Sequence, residues 1–383
     1  MGSRKLLNGI AIHMSETFIR LCVPWTSDDE MDSIKEVITS GYLTQGPKTE
    51  EFERAVAEYV GAQYAFATSS CTTALHLSLV ALGVGPGDNV LVPDFTFPAT
   101  ANVVIQQGAR PILVDVDPGT FNIDIEDLFR KWTPRTKAVI PVHVFGRPAS
   151  MDQIREFAQG KNLAVIEDAA CALGATYKGK RCGNLGDLGC FSFHPRKIVM
   201  TGEGGMITTN SNGLAKKIAV LRSHGSVREA SRLRFVAAGF NYRMSDVNAA
   251  IGIVQMRKLS EIVRMRRQLA EQYMKLLSEI SGLTLPVDEK HSIQTYQSFV
   301  VMLPKRSNRD EIIMKMKESG VETTIGTYAL HTEPYFQKYF GYKSGDLPVS
   351  FQCARRSLTL PLYPQMTVED LSYVIEAFQK ALG

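Results

Sequence analysis

The sequence predicts an α/β protein: a mostly parallel central sheet sandwiched by helices, followed by a smaller C-terminal α+β domain. Short runs rich in Val, Ile and Leu recur from about residue 50 to residue 220, the pattern of strands buried on both faces. Helical patterns long enough for crossover connections separate them. With 383 residues and 44% hydrophobic content, the chain can bury a large core and support two lobes.

In chain order, the clearest strands fall at residues 64–68, 89–93, 110–115, 136–142, 164–167, 189–192 and 205–208, each short and apolar. Amphipathic segments at 72–82, 98–107 and 151–160 read as crossover helices. A long helical pattern then runs from 245 to about 281 and leaves the core. After the Gly282 turn, residues 296–303 read as a strand, 308–319 as a helix and 366–382 as a terminal helix. This divides the chain into a large domain with an N-terminal arm (14–260) and a small C-terminal domain (261–383). Residues 1–13 read as a leader or vector-derived segment ahead of a native start at Met14. There is no internal repeat and no low-complexity tract.

Composition excludes several partners. The charge is only +4, from 43 basic and 39 acidic side chains, and no basic stretch is long enough to track a phosphate backbone, so nucleic acid is not expected. No apolar run reaches the roughly 18 to 20 residues that span a bilayer. A cytoplasmic enzyme is the expectation. The cysteines Cys22, Cys71, Cys171, Cys182, Cys190 and Cys353 show neither Cys-x-x-Cys pairs nor zinc spacing, and read as structural thiols with no metal role.

The chemistry is written in three places. In Cys190-Phe191-Ser192-Phe193-His194-Pro195-Arg196-Lys197, a lysine stands just past a strand end, where ligands of open α/β sheets bind and an amine can reach a carbonyl. In Val165-Ile166-Glu167-Asp168, a strand ends in adjacent carboxylates that alternation sends to opposite sides. Asp168 is the one assigned to a cofactor. A carboxylate 4 Å from a pyridine nitrogen favours its protonated form by about 4 kcal/mol at an effective dielectric of 20, roughly three pKa units. In Ser69-Ser70-Cys71-Thr72-Thr73, a polar turn enters a helix whose free amides attract phosphate, with hydroxyls from Thr72 or Thr73 as further donors. Phe97 could lay its ring against a flat cofactor, although a core aromatic is the plainer reading. Gly83-Val84-Gly85-Pro86-Gly87 only imitates a dinucleotide fingerprint, because it follows a helix and Pro86 lacks an amide donor.

With these elements in this order, the chain resembles the DegT/DnrJ/StrS family of pyridoxal-phosphate (PLP)-dependent, fold-type-I nucleotide-sugar aminotransferases. The resemblance runs from about Pro24 to the C-terminus. It rests on EDAACALGA, on GDLGCFSFHPRK followed by TGEGGMITTN, and on GFNYRMSDVNAAIG. It implies Lys197 as covalent anchor and proton shuttle, Asp168 on the ring nitrogen, Phe97 on the ring face and Cys171 near the ring oxygen. Thr72, Thr73 and Ser192 would hold the phosphate, with Asn241 reaching it from the other subunit of a homodimer. Arg243 would meet the amino donor's carboxylate, and Thr44, Tyr328 and His331 are candidates for the sugar side. Two departures stand out: Cys171 where members often carry Gln or His, a weaker donor, and Cys71 where many have Gly. A branch of the family replaces the lysine with histidine and performs dehydration, against which Lys197 argues.

The implied reaction is ping-pong transfer of an amino group from an amino acid, L-glutamate by resemblance, to a keto-sugar on a nucleotide. Alternatives are a keto-cyclitol or related acceptor, or a non-catalytic PLP-binding regulator. A nicotinamide enzyme would need a glycine fingerprint directly after a strand.

Overall fold

The computed structural model describes residues 18–288 and 290–383; the segment read as a leader lies outside them. All seven expected strands form and join one seven-stranded sheet, in the order Tyr64–Thr68, Gly205–Thr209, Leu188–Ser192, Ala164–Asp168, Thr136–Val139, Asn89–Pro93, Arg110–Val114. Gly205–Thr209 runs antiparallel to both neighbours, and the other pairings are parallel.

Period-two alternation distributes the strand side chains between two cores. Leu91, Val114, Val139, Val165, Phe191 and Met206 pack on one side with helices Pro47–Val60 and Met151–Lys161. Val92, Leu113, Ala138, Ile166, Cys190 and Ile207 pack on the other with Cys71–Leu82, Ala99–Gln106 and Asn212–Arg222. This is the expected sandwich.

Where boundaries moved, backbone chemistry explains it. The strand expected at 136–142 ends at Val139, because Pro141 has no amide for a ladder; its carbonyl instead accepts from the Asp168 amide at 2.9 Å. The strand expected at 296–303 is confined to Phe299–Met302, since Tyr296 adopts a left-handed φ of 49°.

The C-terminal region forms a three-stranded sheet, Phe299–Met302, Ser357–Leu360 and Thr324–Ile325, over a third core. Helix Asp246–Leu277 serves both regions: Ala249, Ile253, Leu259 and Ile262 lie in a core of the large sheet, and Leu269, Ala270, Tyr273 and Leu277 in the C-terminal one. Ile19, on the arm assigned to the large domain, packs into the C-terminal core and bridges to Val321. Among the described residues, no helix is long and apolar enough to cross a membrane.

One close approach shapes the sheet's functional end. A Cβ on Gly205 would lie 2.3 Å from the Ser70 carbonyl carbon and 2.6 Å from the Cys71 amide nitrogen, closer than atoms pack. Only glycine lets the strand slide beneath that turn. Gly205→Ala is expected to destabilise the protein by roughly 1–3 kcal/mol, through displacement of the Ser70–Cys71 turn, in urea unfolding.

Candidate active site

The carboxyl ends of the parallel strands open onto a cavity of about 630 Å³, within the range of small-molecule sites. Its centre is the end of strand Ala164–Asp168, where the two carboxylates part as alternation requires. Glu167 is fully buried on the scaffold side and accepts from the amides of Gly183 (2.7 Å), Leu185 (2.6 Å) and Gly186 (2.7 Å). It also meets His143 Nε2 at 2.8 Å. Because the Ala149 amide donates to His143 Nδ1 at 3.0 Å, the ring proton sits on Nε2 and points at Glu167. His143, Glu167 and Cys182 cluster within 4.8 Å, but these contacts occupy the imidazole and the carboxylate, and the group reads as a hydrogen-bonded knot.

Asp168 faces the cavity. Its Oδ2 accepts from Thr100 Oγ1 at 2.8 Å and its Oδ1 from the Ala170 amide at 3.2 Å. Among the described residues no cationic side chain pairs with it directly. Burial pushes its carboxyl up, and the Thr100 and Ala170 donors with the more distant Lys197 only partly oppose this. The pocket therefore presents a desolvated carboxylate with room for a positive charge.

Lys197 enters from the turn after Leu188–Ser192, its amide bonded to the His194 carbonyl at 2.8 Å. Its Nζ donates to Cys171 Sγ at 3.1 Å. Burial disfavours the ammonium, but the Cys171 contact and Asp168 oppose it and the amine stands above its ordinary value. Burial, with Asp168 adding to it, pushes the Cys71 thiol well up, so this thiol is neutral near pH 7.

Helix Cys71–Leu82 points its N-terminus at the same space. Thr72 and Ser192 line the cavity. Thr73 does not: its hydroxyl donates to the Ser70 carbonyl at 2.8 Å and accepts from the Ser70 amide at 3.0 Å, while its own amide meets Ser70 Oγ at 3.1 Å. It is spent on the helix cap. At the open side, Phe97 (65% exposed) and Tyr328 (39%) meet edge to face, ring centroids 6.4 Å apart.

The remaining candidates are not part of this cavity. His331 is a correction: it is fully buried, bonded through Nδ1 to Asp94 Oδ2 at 2.6 Å, with no face toward a sugar. Arg243 donates to Ser223 Oγ at 2.9 Å. Asn241 is exposed, bridged through its backbone to Ser223. Thr44 is exposed and uses its carbonyl to receive the Asp246 amide at 3.0 Å. Reasoning from sequence missed Thr100, because its partner lies 68 residues away and no local spacing announces the contact.

An amine and a desolvated carboxylate across one cavity, with a helix N-terminus at its edge, fit an α/β enzyme of the class that works through an aldehyde cofactor carrying a phosphate. The profile of the DegT/DnrJ/EryC1/StrS aminotransferase family matches residues 24–379. GDP-perosamine synthase from Caulobacter vibrioides is 40% identical over 95% of this chain and 98% of its own. The spore coat polysaccharide biosynthesis protein SpsC from Bacillus subtilis is 39% identical over 94% and 96%. Among solved structures, the sugar aminotransferase Spr1654 from Streptococcus pneumoniae in its PMP-form superposes with a TM-score of 0.90 at 27% identity, over 95% of this chain and 97% of that one; a PLP-form gives 0.89. The chain belongs to the DegT/DnrJ/EryC1/StrS aminotransferase family and is a PLP-dependent aminotransferase.

Two outcomes follow from the site's supports. Glu167→Ala would strand three buried amides and the His143 N–H, and is expected to destabilise by on the order of 3–5 kcal/mol in urea unfolding. Burial works against the His331 imidazolium, but its contacts with Asp94 raise its pKa above the ordinary 6.5. Its stabilisation is thus fully present below pH 6.5 and is lost as pH rises through the higher folded value. The stability difference between wild type and His331→Gln should shrink from pH 6 to pH 9.

Proposed function

We propose that this protein transfers an amino group from an amino acid, L-glutamate, to a keto-sugar carried by a nucleotide, in a ping-pong reaction catalysed by a cytoplasmic homodimer with shared active sites. One observation carries the reading: the Lys197 amine and the Asp168 carboxylate, which has no direct cationic partner among the described residues, share a cavity sized for a cofactor and a sugar. Similarity to GDP-perosamine synthase supports a nucleotide-linked acceptor.

The residues present fit pyridoxal 5'-phosphate. When bound, it supplies a carbonyl that joins amines and a ring that takes up the electron pair left by a departing proton. Asp168 would keep the ring nitrogen protonated, satisfying the charge its own burial lacks. Thr72, Ser192 and the amides of helix Cys71–Leu82 would hold the phosphate; Thr73 would act on it through the cap. Phe97 would cover one ring face, and Cys171 would stand between the ring oxygen and the lysine.

Lys197 has two tasks. As anchor, its amine would hold the cofactor's carbonyl carbon. As proton shuttle, its Nζ would take the proton from the donor's α-carbon and, in the second half-reaction, would deliver one to the sugar carbon that receives nitrogen. Asn241 would enter the neighbouring protomer's cavity, Arg243 would meet the donor's carboxylate, and Thr44 and Tyr328 would touch the acceptor. The large domain (14–260) would hold the cofactor, and the small domain (261–383) would close the cavity through residues 324–328.

Glutamate added to holoenzyme should bleach the visible absorbance, and a panel of UDP-, GDP- and dTDP-linked keto-sugars should contain members that restore it. Lys197→Ala is expected to lose turnover by orders of magnitude. Borohydride treatment of holoenzyme should attach a pyridoxyl group to the peptide containing Lys197. An unmodified lysine, or absorbance indifferent to glutamate, would overturn the reading.

A further inference from the structure

We propose that Asp94 and His331 are positioning residues for the acceptor: their buried ion pair sets the separation of Phe97 and Tyr328 at the open side of the cavity. The inference rests on the transamination proposed above.

The arrangement is close to symmetric along the chain. Phe97 stands three residues after Asp94, and Tyr328 three residues before His331. Between them, Phe95–Thr96 pairs with Tyr328–Ala329 as an isolated two-stranded ladder. A ladder this short cannot hold its own register. Asp94 holds it instead: its carbonyl accepts from the Leu330 amide at 3.0 Å, and its Oδ1 accepts from the His331 amide at 2.7 Å. Its Oδ2 meets His331 Nδ1 at 2.6 Å.

Burial disfavours charge on both partners and raises the Asp94 carboxyl, while the Asp94 contacts raise the His331 imidazole and favour its charged form. Both ring nitrogens of His331 face oxygens, Nδ1 the Asp94 carboxylate and Nε2 the Ser344 carbonyl at 3.3 Å, so a doubly protonated ring gives each contact a donor. Asp115 adds a second carboxylate nearby, its oxygens taken by the amides of Val116, Val349 and Ser350 and the Ser350 hydroxyl. Tyr342, whose phenol burial pushes up, completes the group and is neutral near pH 7.

This clamp also connects to the chemistry. Thr96 Oγ1 lies 3.1 Å from Thr100 Oγ1, which donates to Asp168. Tyr328 pairs with Thr96 in the ladder register. The Phe97 side of the ladder is therefore fixed from two directions, by Asp94 and by Asp168, whereas the Tyr328 side is held chiefly through Asp94 and His331. Breaking the pair should release Tyr328 first, and with it the fit of the acceptor rather than that of the amino donor.

The test compares the two half-reactions in holoenzyme, using glutamate as donor and the panel keto-sugar that the wild type turns over fastest as acceptor. His331→Gln is expected to raise the acceptor KM about tenfold while changing the glutamate half-reaction by less than about twofold. In a Tyr328→Ala background, the same substitution should add no further rise, since its effect passes through that ring. Additive effects on KM, or equal slowing of both half-reactions, would overturn the proposal while leaving transamination standing. Wild-type holoenzyme blind to glutamate would sink both. Should His331→Gln fail to fold, Asp94→Asn is expected to show the same split. Nitrogen-15 spectra of wild-type histidines at pH 7 should show one imidazole protonated at both nitrogens and lost in either variant; a neutral ring there would refute the ion pair.

Discussion

The site depends on two adjacent carboxylates leaving one strand in opposite directions. Glu167 is saturated by three loop amides and a histidine, which makes it part of the scaffold. Its satisfaction anchors the strand end rigidly. Asp168 can then remain buried with only neutral donors bonded to it, a state that burial alone opposes. The strain of holding an incompletely compensated carboxylate is tolerable because the residue before it is fully compensated.

Around that strand end, the fold brings together groups with no local relationship. The lysine comes from the turn after a neighbouring strand, the turn at residues 70–72 from the far side of the antiparallel strand, and the aromatic pair from segments more than two hundred residues apart. All but Tyr328 arrive by the rule that short parallel strands gather their carboxyl ends on one edge, and Tyr328 is brought in by its ladder with Phe95–Thr96.

Much of this was legible from sequence because strands buried on both faces have an unambiguous composition. All seven were found, with the strand expected at 136–142 cut short by Pro141, and the C-terminal strand expected from 296 starts only after the left-handed Tyr296. The position of candidates next to strand ends was legible for the same reason: Lys197, Asp168, Thr72, Ser192, Cys171, Phe97 and Tyr328 all border the cavity. What failed was reading side-chain direction within loops. Thr73 and Thr72 are neighbours of the same type, yet the helix cap claims one hydroxyl and leaves the other. His331 looked like a polar loop residue, and only the Asp94 carboxylate, 237 residues away, explains why it is buried. Hydrogen bonds across such separations leave no periodic trace.

Helix Asp246–Leu277 has a mechanical consequence. At 1.5 Å per residue, its 32 residues form a rod about 48 Å long, rooted at one end in the large sheet's core and at the other in the C-terminal core. Two lobes threaded on one continuous rod cannot swing about a flexible joint there. Any breathing between them must flex the rod or slide packed surfaces, which confines it to small amplitudes and makes the loops at the rim the natural moving parts.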